Sequence, residues 1–363
     1  MSGPLRIVVL GLSLSSSWGN GHATTYRALL RALRDRGHAI LFLERDRPWY
    51  ADHRDLVDPD FCHLGFYRSV SELDIWRETI AEADAVILGS YVPDGVAVAR
   101  FVQRTARAVT AFYDIDTPVT LAKLAAKDHE YLAPELIAGF DLYLSLTGGA
   151  TLRKLEQLHG ARSAHALYCS VDPALYCAVP VERRFDLGYL GTYSPDRQPM
   201  LDRLLLEPAR MAPNRRFVIA GPLYPPTIAW PANVERIDHL PPAQHAEFYS
   251  SLGWTLNLTR AEMAAAGYSP SVRLFEAAAC ASPIISDGWT GLEALFCLDR
   301  EIIVADSPDA VLATLALPEP HRLAIGRAGR ERVIAAHTGP HRACQLERLI
   351  LDCPAYRGGG RPW

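Results

Sequence analysis

Short apolar runs alternate along this chain with longer stretches in which apolar positions recur every three or four residues. Residues 5–12 read as a buried strand, 15–22 as a glycine-containing loop, 23–36 as a helix closed by Gly37, and 39–44 as a second strand. An irregular segment, 45–67, follows. The pattern then predicts a helix from about Ser71, strand 85–89, a helix after Pro93, strand 108–114, a helix after Pro118, and strand 142–146. The second half repeats the alternation, with strands at 186–191, 216–221, 234–237, 254–258, 284–285 and 301–305. Helices are predicted at 200–211, near Pro242, and from Pro308 to about Leu351. Strands separated by helices of this length imply parallel sheets covered on both faces. Between the halves, Pro173 and Pro180 stiffen a stretch with little periodicity, as a linker between rigid lobes requires. The expected fold class is α/β, with two Rossmann-like doubly wound domains facing a cleft: 1–170, a hinge at 171–182, 183–340, and a final helix and tail at 341–363.

In doubly wound sheets ligands bind beyond the carboxyl ends of the strands. That rule selects a few loops. After the first strand, Gly19 and Gly21 let the backbone approach a ligand closely, and His22 is a candidate base or sugar contact, or a helix-start residue bonding backbone. The spacing matches neither a dinucleotide fingerprint nor a P-loop. In Tyr113-Asp114-Ile115-Asp116-Thr117-Pro118, Asp114 ends a strand and is a candidate acceptor contact or base, while Asp116 is better read as a helix cap. Gly148 and Gly149 either present N–H groups to an anion or form a plain turn. In the second half Arg197, Gly221 and Arg260 stand at strand ends. Lys occurs only at 123, 127 and 154, so a phosphate clamp in this half must be built from Arg.

The most informative stretch is 269–293, SPSVRLFEAAACASPIISDGWTGLE. Ser269 reads as an N-cap and Pro270 as the first helical position; Val272, Phe275 and Ala279 recur on one face, and the helix stops before Pro283. Arg273 and Glu276, three residues apart, share a side of this otherwise apolar helix near its N-terminus. Arg273 there suits phosphate oxygens and Glu276 suits two adjacent ribose hydroxyls; an i,i+3 ion pair on a solvated face is the alternative.

SVRLFEAAACASPIISD resembles the nucleotide-binding segment of GT-B glycosyltransferases, most closely the CgeB-like, group 1-type members. The resemblance implies that Glu276 binds the donor ribose, that Arg197, Arg260 and Arg273 face the donor diphosphate, and that Gly21 faces donor phosphates and acceptor. It also places Gly221 and Leu223 near the nucleobase, with His239 or Leu240 beside it, and Ser271 in the donor site. The family's first motif glutamate falls on Tyr268, which is read as a donor contact in its place, and the usual turn glycine is Ala281. CSVDPALYCAVP resembles the family's hinge, and a final helix that crosses back to the first domain is a further implication. Asp287 and Trp289 would border the sugar. The implied activity is metal-independent transfer of a hexosyl group from a nucleoside-diphosphate sugar to a small-molecule or glycan acceptor, with His22 or Asp114 as base if the reaction inverts. No cofactor beyond that donor substrate is expected. A nucleotide-sugar 2-epimerase and a noncatalytic nucleotide-sugar binding protein share this architecture and are the alternatives.

Composition narrows the picture without changing it. With 363 residues, 49% hydrophobic and 21% charged, the chain is globular and larger than one core normally serves. A net charge of −4 argues against nucleic-acid binding through bulk charge. Seven Cys without a C-x-x-C pair read as reduced thiols, and no metal site is indicated. The N-terminal apolar run lacks a cleavage pattern, and no run reaches the length of a membrane helix, so a cytoplasmic location is expected.

Overall fold

The computed structural model describes residues 3–18 and 21–357; Gly19, singled out above, lies outside them. The chain divides into two compact units, one running to Cys169 and resuming at Gly339, the other spanning Ser170–Thr338. The first unit is a seven-stranded sheet built from β1 (Arg6–Gly11), β2 (Ala39–Arg45), β3 (His63–Tyr67), β4 (Ala85–Gly89), β5 (Val109–Asp114), β6 (Leu142–Ser145) and β7 (Ala164–Ala166), in the order β3-β2-β1-β4-β5-β6-β7. Every pairing is parallel. Buried on both faces, β1 (RIVVLG), β4 (AVILG) and β5 carry continuous apolar runs rather than alternation, as a covered parallel sheet demands.

The second unit repeats the plan with β8 (Phe185–Leu190), β9 (Phe217–Ala220), β10 (Val234–Ile237), β11 (Leu252–Asn257), β12 (Ile284–Ser286) and β13 (Ile303–Val304), ordered β10-β9-β8-β11-β12-β13 and again parallel. Strand order reverses beside β1 in the first sheet and beside β8 in the second, which marks the strand ends where such folds hold ligands.

Several elements differ from the expectation. β3 lies inside the segment read as irregular: only five residues long and interrupted by Gly65, it occupies a sheet edge. A Cβ at Gly65 would come 2.9 Å from the Leu43 and Trp76 side chains, so glycine is needed where the Trp76 ring covers the edge. The helix placed at Ser269 starts at Val272, with Ser271 at the N-cap, and Ser269 and Pro270 precede it. The predicted helix 200–211 is interrupted by a π-helical stretch, Asp202–Leu206, just before Pro208, whose missing N–H cannot continue the ladder.

The helix Gly339–Leu351 packs in the first unit against the helix His22–Asp35. Arg342 Nε donates to Tyr168 O at 3.0 Å and Gln345 Nε2 to Ala166 O at 2.7 Å, so this helix also holds the end of β7. A Cβ at Gly339 would stand 2.5 Å from Ala28 O, a backbone atom that cannot yield cheaply. Gly339→Ala is therefore expected to destabilise the chain by about 1–3 kcal/mol through overpacking, read as a lower urea midpoint; an unchanged midpoint would show that the two helices are not held this closely.

Candidate active site

In the second unit the site is assembled from four strand ends. Gly191 follows β8 and Gly221 follows β9, and the two backbones nearly touch: a Cβ on Gly221, whose φ is +142°, would lie 2.1 Å from Gly191 O. Glycine is the residue that can stand there. Both carbonyls are braced. Tyr224 donates its hydroxyl to Gly191 O at 3.1 Å, and Arg236, stacked on Tyr224 with its Cζ 4.2 Å from the ring centroid, donates to Gly221 O at 3.0 Å and Ile219 O at 2.7 Å. Leu223, with φ +70°, stands 62% exposed beyond them.

Arg273 is 6% exposed. Its Nε donates to Leu190 O, and its Nη1 to Asn257 Oδ1 at 3.1 Å and Leu258 O at 3.4 Å, while the guanidinium lies over the Tyr189 ring. It makes no ion pair with Glu276, so neither the solvated salt bridge nor a freely presented phosphate ligand describes it. Helix geometry points it at the ends of β8 and β11, where backbone oxygens take its donors. Asn257 Oδ1 also accepts from Ser271 Oγ at 2.7 Å, and Asn257 Nδ2 donates to Ser286 Oγ at 2.9 Å. Ser271 thus spends its side chain on Asn257 and makes no capping bond to its own helix. The first N–H groups of Val272–Ala279 keep their anion-attracting end.

Glu276 is 4% exposed. Its Oε2 accepts from Tyr249 Oη at 3.0 Å, whereas Oε1 accepts no hydrogen bond from the described residues. Burial, then the Glu276 charge, push the Tyr249 phenol well above its ordinary range, so it remains a donor. Next to this helix, Asp287 accepts from Thr259 N–H at 3.0 Å and Thr259 Oγ1 at 2.9 Å. Burial raises its pKa, opposed by those bonds, by Ser286 and by the Arg273 charge.

Tyr268 adopts φ +48°, bonds Thr290 O through its N–H at 2.7 Å, and lays its ring against Gly291, where a Cβ would come 2.5 Å from Tyr268 Cδ1. Arg197 donates Nη2 to Thr192 O at 2.7 Å and keeps a buried Nε without a partner among the described residues. Asp196 stands beside it, with Arg260 Nε 3.8 Å from Asp196 Oδ2. Burial pushes Asp196 up, but bonds from Ser194 and the Ala261 N–H and the charges of Arg260 and Arg197 outweigh it and hold the carboxyl below its usual range. Ala281, in the usual glycine position, takes φ +56°.

In the first unit Gly21 sits at the N-cap of His22–Asp35 with φ −84°, so no left-handed backbone is required of it. His22 is 7% exposed, with Nε2 4.0 Å from Asp116 Oδ2, its ring edge-on to Tyr91, and a buried Nδ1 without a partner. Asp116 occupies the predicted N-cap of Thr117–Ala125, yet its side chain makes no capping bond. Asp114 corrects the sequence reading: it is 0% exposed and both oxygens are taken, Oδ1 by Thr120 at 2.7 Å and Oδ2 by Tyr143 at 2.5 Å. A carboxylate so enclosed is a buried strut between β5 and β6, out of reach of an acceptor hydroxyl. Sequence reasoning also missed Tyr249, Asn257, Asp196 and Arg236. Asn257 was detectable as an amide inside the apolar strand LGWTLN; nothing local distinguishes Tyr249 from a core tyrosine.

Two parallel doubly wound units are the GT-B fold of glycosyltransferases. The chain is similar to sucrose-phosphate synthase from Thermosynechococcus elongatus, 14% identical with a TM-score of 0.67 over 95% of this chain and 98% of that one. It is similar also to Anabaena Alr3699/HepE in complex with UDP-glucose, 13% identical, TM-score 0.70, over 96% and 99%. An alpha-glucosyltransferase in complex with UDP-glucose and DNA containing an abasic site is 13% identical, TM-score 0.72, over 96% and 100%. Residues 197–348 match the Glycosyl transferase-like family. A curated protein, UDP-N-acetylmuramate--L-alanine ligase of Acidobacterium capsulatum, is 32% identical over 135 residues, 37% of this chain; the match spans 29% of that relative's length. Among the described residues no helix is long and apolar enough to cross a membrane.

Burial raises the Asp114 carboxyl to about 6, with Tyr143 and Thr120 partly opposing it. A raised carboxylate pKa means the folded state binds the proton more tightly than the unfolded one. This group's contribution to stability is most favourable below pH 4 and falls as pH rises through 6. A shift of this size corresponds to about 3 kcal/mol. Thermal melts of the wild type and Asp114→Asn across pH 4–7 are expected to diverge in that window; parallel curves would remove Asp114 as the source.

Proposed function

We propose that the chain is a glycosyltransferase that takes a hexosyl group from a nucleoside-diphosphate sugar, with the donor held at the strand ends of the second unit. The observation that carries this reading is Glu276, a buried carboxylate with one oxygen fixed by Tyr249 and the other accepting nothing, one helical turn from an uncapped N-terminus. A pair of adjacent ribose hydroxyls completes that acceptor, and a diphosphate complements the helix end. The match of 197–348 to the Glycosyl transferase-like family supports the reading, as do structural relatives in complex with UDP-glucose. Those complexes make uridine diphosphate the first nucleotide to test.

The proposed roles follow the geometry. Gly221 and Leu223 border the base. Arg197 and Arg260, with the N–H groups of Val272 and Arg273, face the diphosphate without a metal. Arg273, Asn257 and Ser271 keep the strand ends in register, and Tyr268 closes the site beside Gly291. As the bond from the sugar's anomeric carbon to the diphosphate breaks, these donors stabilise the charge left on the leaving oxygen, and the acceptor oxygen bonds to that carbon. In an inverting reaction His22, oriented by Asp116, takes the acceptor proton; in a retaining one the leaving phosphate takes it. Asp114 is withdrawn from this step.

Isothermal titration in EDTA against nucleoside diphosphates and nucleotide sugars tests the reading. Micromolar binding of one nucleotide is expected, weakened at least about tenfold in Glu276→Ala, equivalent to about 1.4 kcal/mol, and more mildly in Tyr249→Phe. Binding of no panel member, or binding indifferent to both substitutions, would end the donor-site assignment.

A further inference from the structure

The segment 45–67 holds a cluster that the donor site does not use. Arg45 ends β2 opposite Tyr67, the last residue of β3, in parallel register. The Arg45 guanidinium lies over the Tyr67 ring with Cζ 5.6 Å from its centroid. Arg47 follows two residues later in extended conformation, with φ −123° and ψ 135°. Side chains two apart on an extended chain share a face, and directly paired residues share it too, so Arg45, Arg47 and Tyr67 converge. Three buried donors in this cluster have no acceptor among the described residues: Arg45 Nη1, Arg47 Nε and Tyr67 Oη, with Tyr67 1% exposed. Arg47 has no carboxylate partner among the described residues; its guanidinium lies over Trp49, which is 51% exposed.

The nearby acidic groups do not supply the missing acceptor. Asp94 pairs with Arg45 Nη2 at 3.0 Å and leaves Nη1 unused. Glu44, 0% exposed, is committed to the loop after β1, accepting from Leu14 N–H at 2.7 Å, Ser15 N–H at 2.9 Å and Ser15 Oγ at 2.7 Å. Asp46 is bound to Arg54 at 2.8 Å, with Arg68 3.8 Å away.

We propose that Arg45, Arg47 and Tyr67 form an oxyanion site that binds the phosphate or carboxylate group of an anionic acceptor. Its position at the carboxyl ends of β2 and β3, beside the exposed Trp49, is where a doubly wound sheet receives ligands, and two guanidiniums with a phenol match the oxygens of a tetrahedral or planar anion. The anion site stands on this geometry alone; its assignment to the acceptor rests on the glycosyltransferase reading.

Titration of the full chain with glucose 6-phosphate, glucuronate and glucose, with UDP as a separate arm, tests the proposal. The anionic sugars are expected to bind and glucose not to, and the stronger of the two identifies phosphate or carboxylate. Arg47→Gln and Tyr67→Phe should each weaken anion binding by at least about tenfold, the order lost with one charge-assisted hydrogen bond. Tyr67→Phe removes a hydroxyl with no partner, so its melting temperature should not fall. Asp94→Asn, at a left-handed position that Asn tolerates, should strengthen binding by removing the competing carboxylate. UDP affinity should be unchanged in all three. Anionic sugars that bind no better than glucose, or equally well to Arg47→Gln, would overturn the site. Anion binding without UDP binding would uphold it while removing the acceptor assignment.

Discussion

The second unit depends on satisfying one buried cation. A guanidinium as enclosed as Arg273, with no ion pair, is tolerated only when its donors find oxygen. Leu190 O, Leu258 O and Asn257 Oδ1 supply it, and the Tyr189 ring covers its face. That requirement fixes the distance between the ends of β8 and β11. It also sets what stands next to them: a Cβ on Gly191 would approach Arg273 Nη2 to 2.7 Å, so the chain leaves β8 through glycine. Glycine at 191 then lets the equally bare Gly221 come into contact, and Tyr224 and Arg236 lock both carbonyls. A rim with little side-chain bulk results.

Charge is handled differently in the first unit. Two carboxylates near its strand ends, Asp114 and Glu44, are buried among neutral donors rather than cations. Asp114 is held by Thr120 and Tyr143, and Glu44 by the Ser13–Ser15 turn. Hydrogen bonds of this kind hold loops to strand ends, and in Asp114 they do not offset the cost of burial, which leaves its pKa high. Arg45 and Arg47, at the end of β2 and just beyond it, each keep a buried donor with no acceptor among the described residues. The first unit therefore braces its loops with buried acids, while the second buries Arg273 and leaves one Glu276 oxygen without a hydrogen bond from the described residues.

Much of this was legible in the sequence. Apolar runs of four to six residues bounded by glycine or proline marked the central strands, because strands buried on both faces need no polar positions. The alternation with helices determined the parallel α/β class, and an Arg and a Glu three apart in an apolar helix marked an element central to the second unit. Edge strands were less legible: β3 contains Gly65, β7 has only three residues, and neither has a periodic signal strong enough to separate it from a loop. The start of the helix at Val272 was also misplaced. Local cap chemistry favoured Ser269, but Ser271 takes the N-cap position and turns its hydroxyl to Asn257 on another strand.

Side-chain roles were settled by tertiary structure, for the same reason. Asp114 and Glu276 are both carboxylates among apolar neighbours in sequence. Only the fold brings Thr120 and Tyr143 onto both oxygens of Asp114, and Tyr249 onto a single oxygen of Glu276. Arg273 meets the ends of two strands and Arg47 a tryptophan face. Sequence by itself determined the central strands, the α/β alternation and which residue types stand near the strand ends, since these follow from local pattern. Whether a given end group is spent on the scaffold or left free for a ligand was decided by contacts between residues far apart in the chain, which no local pattern records.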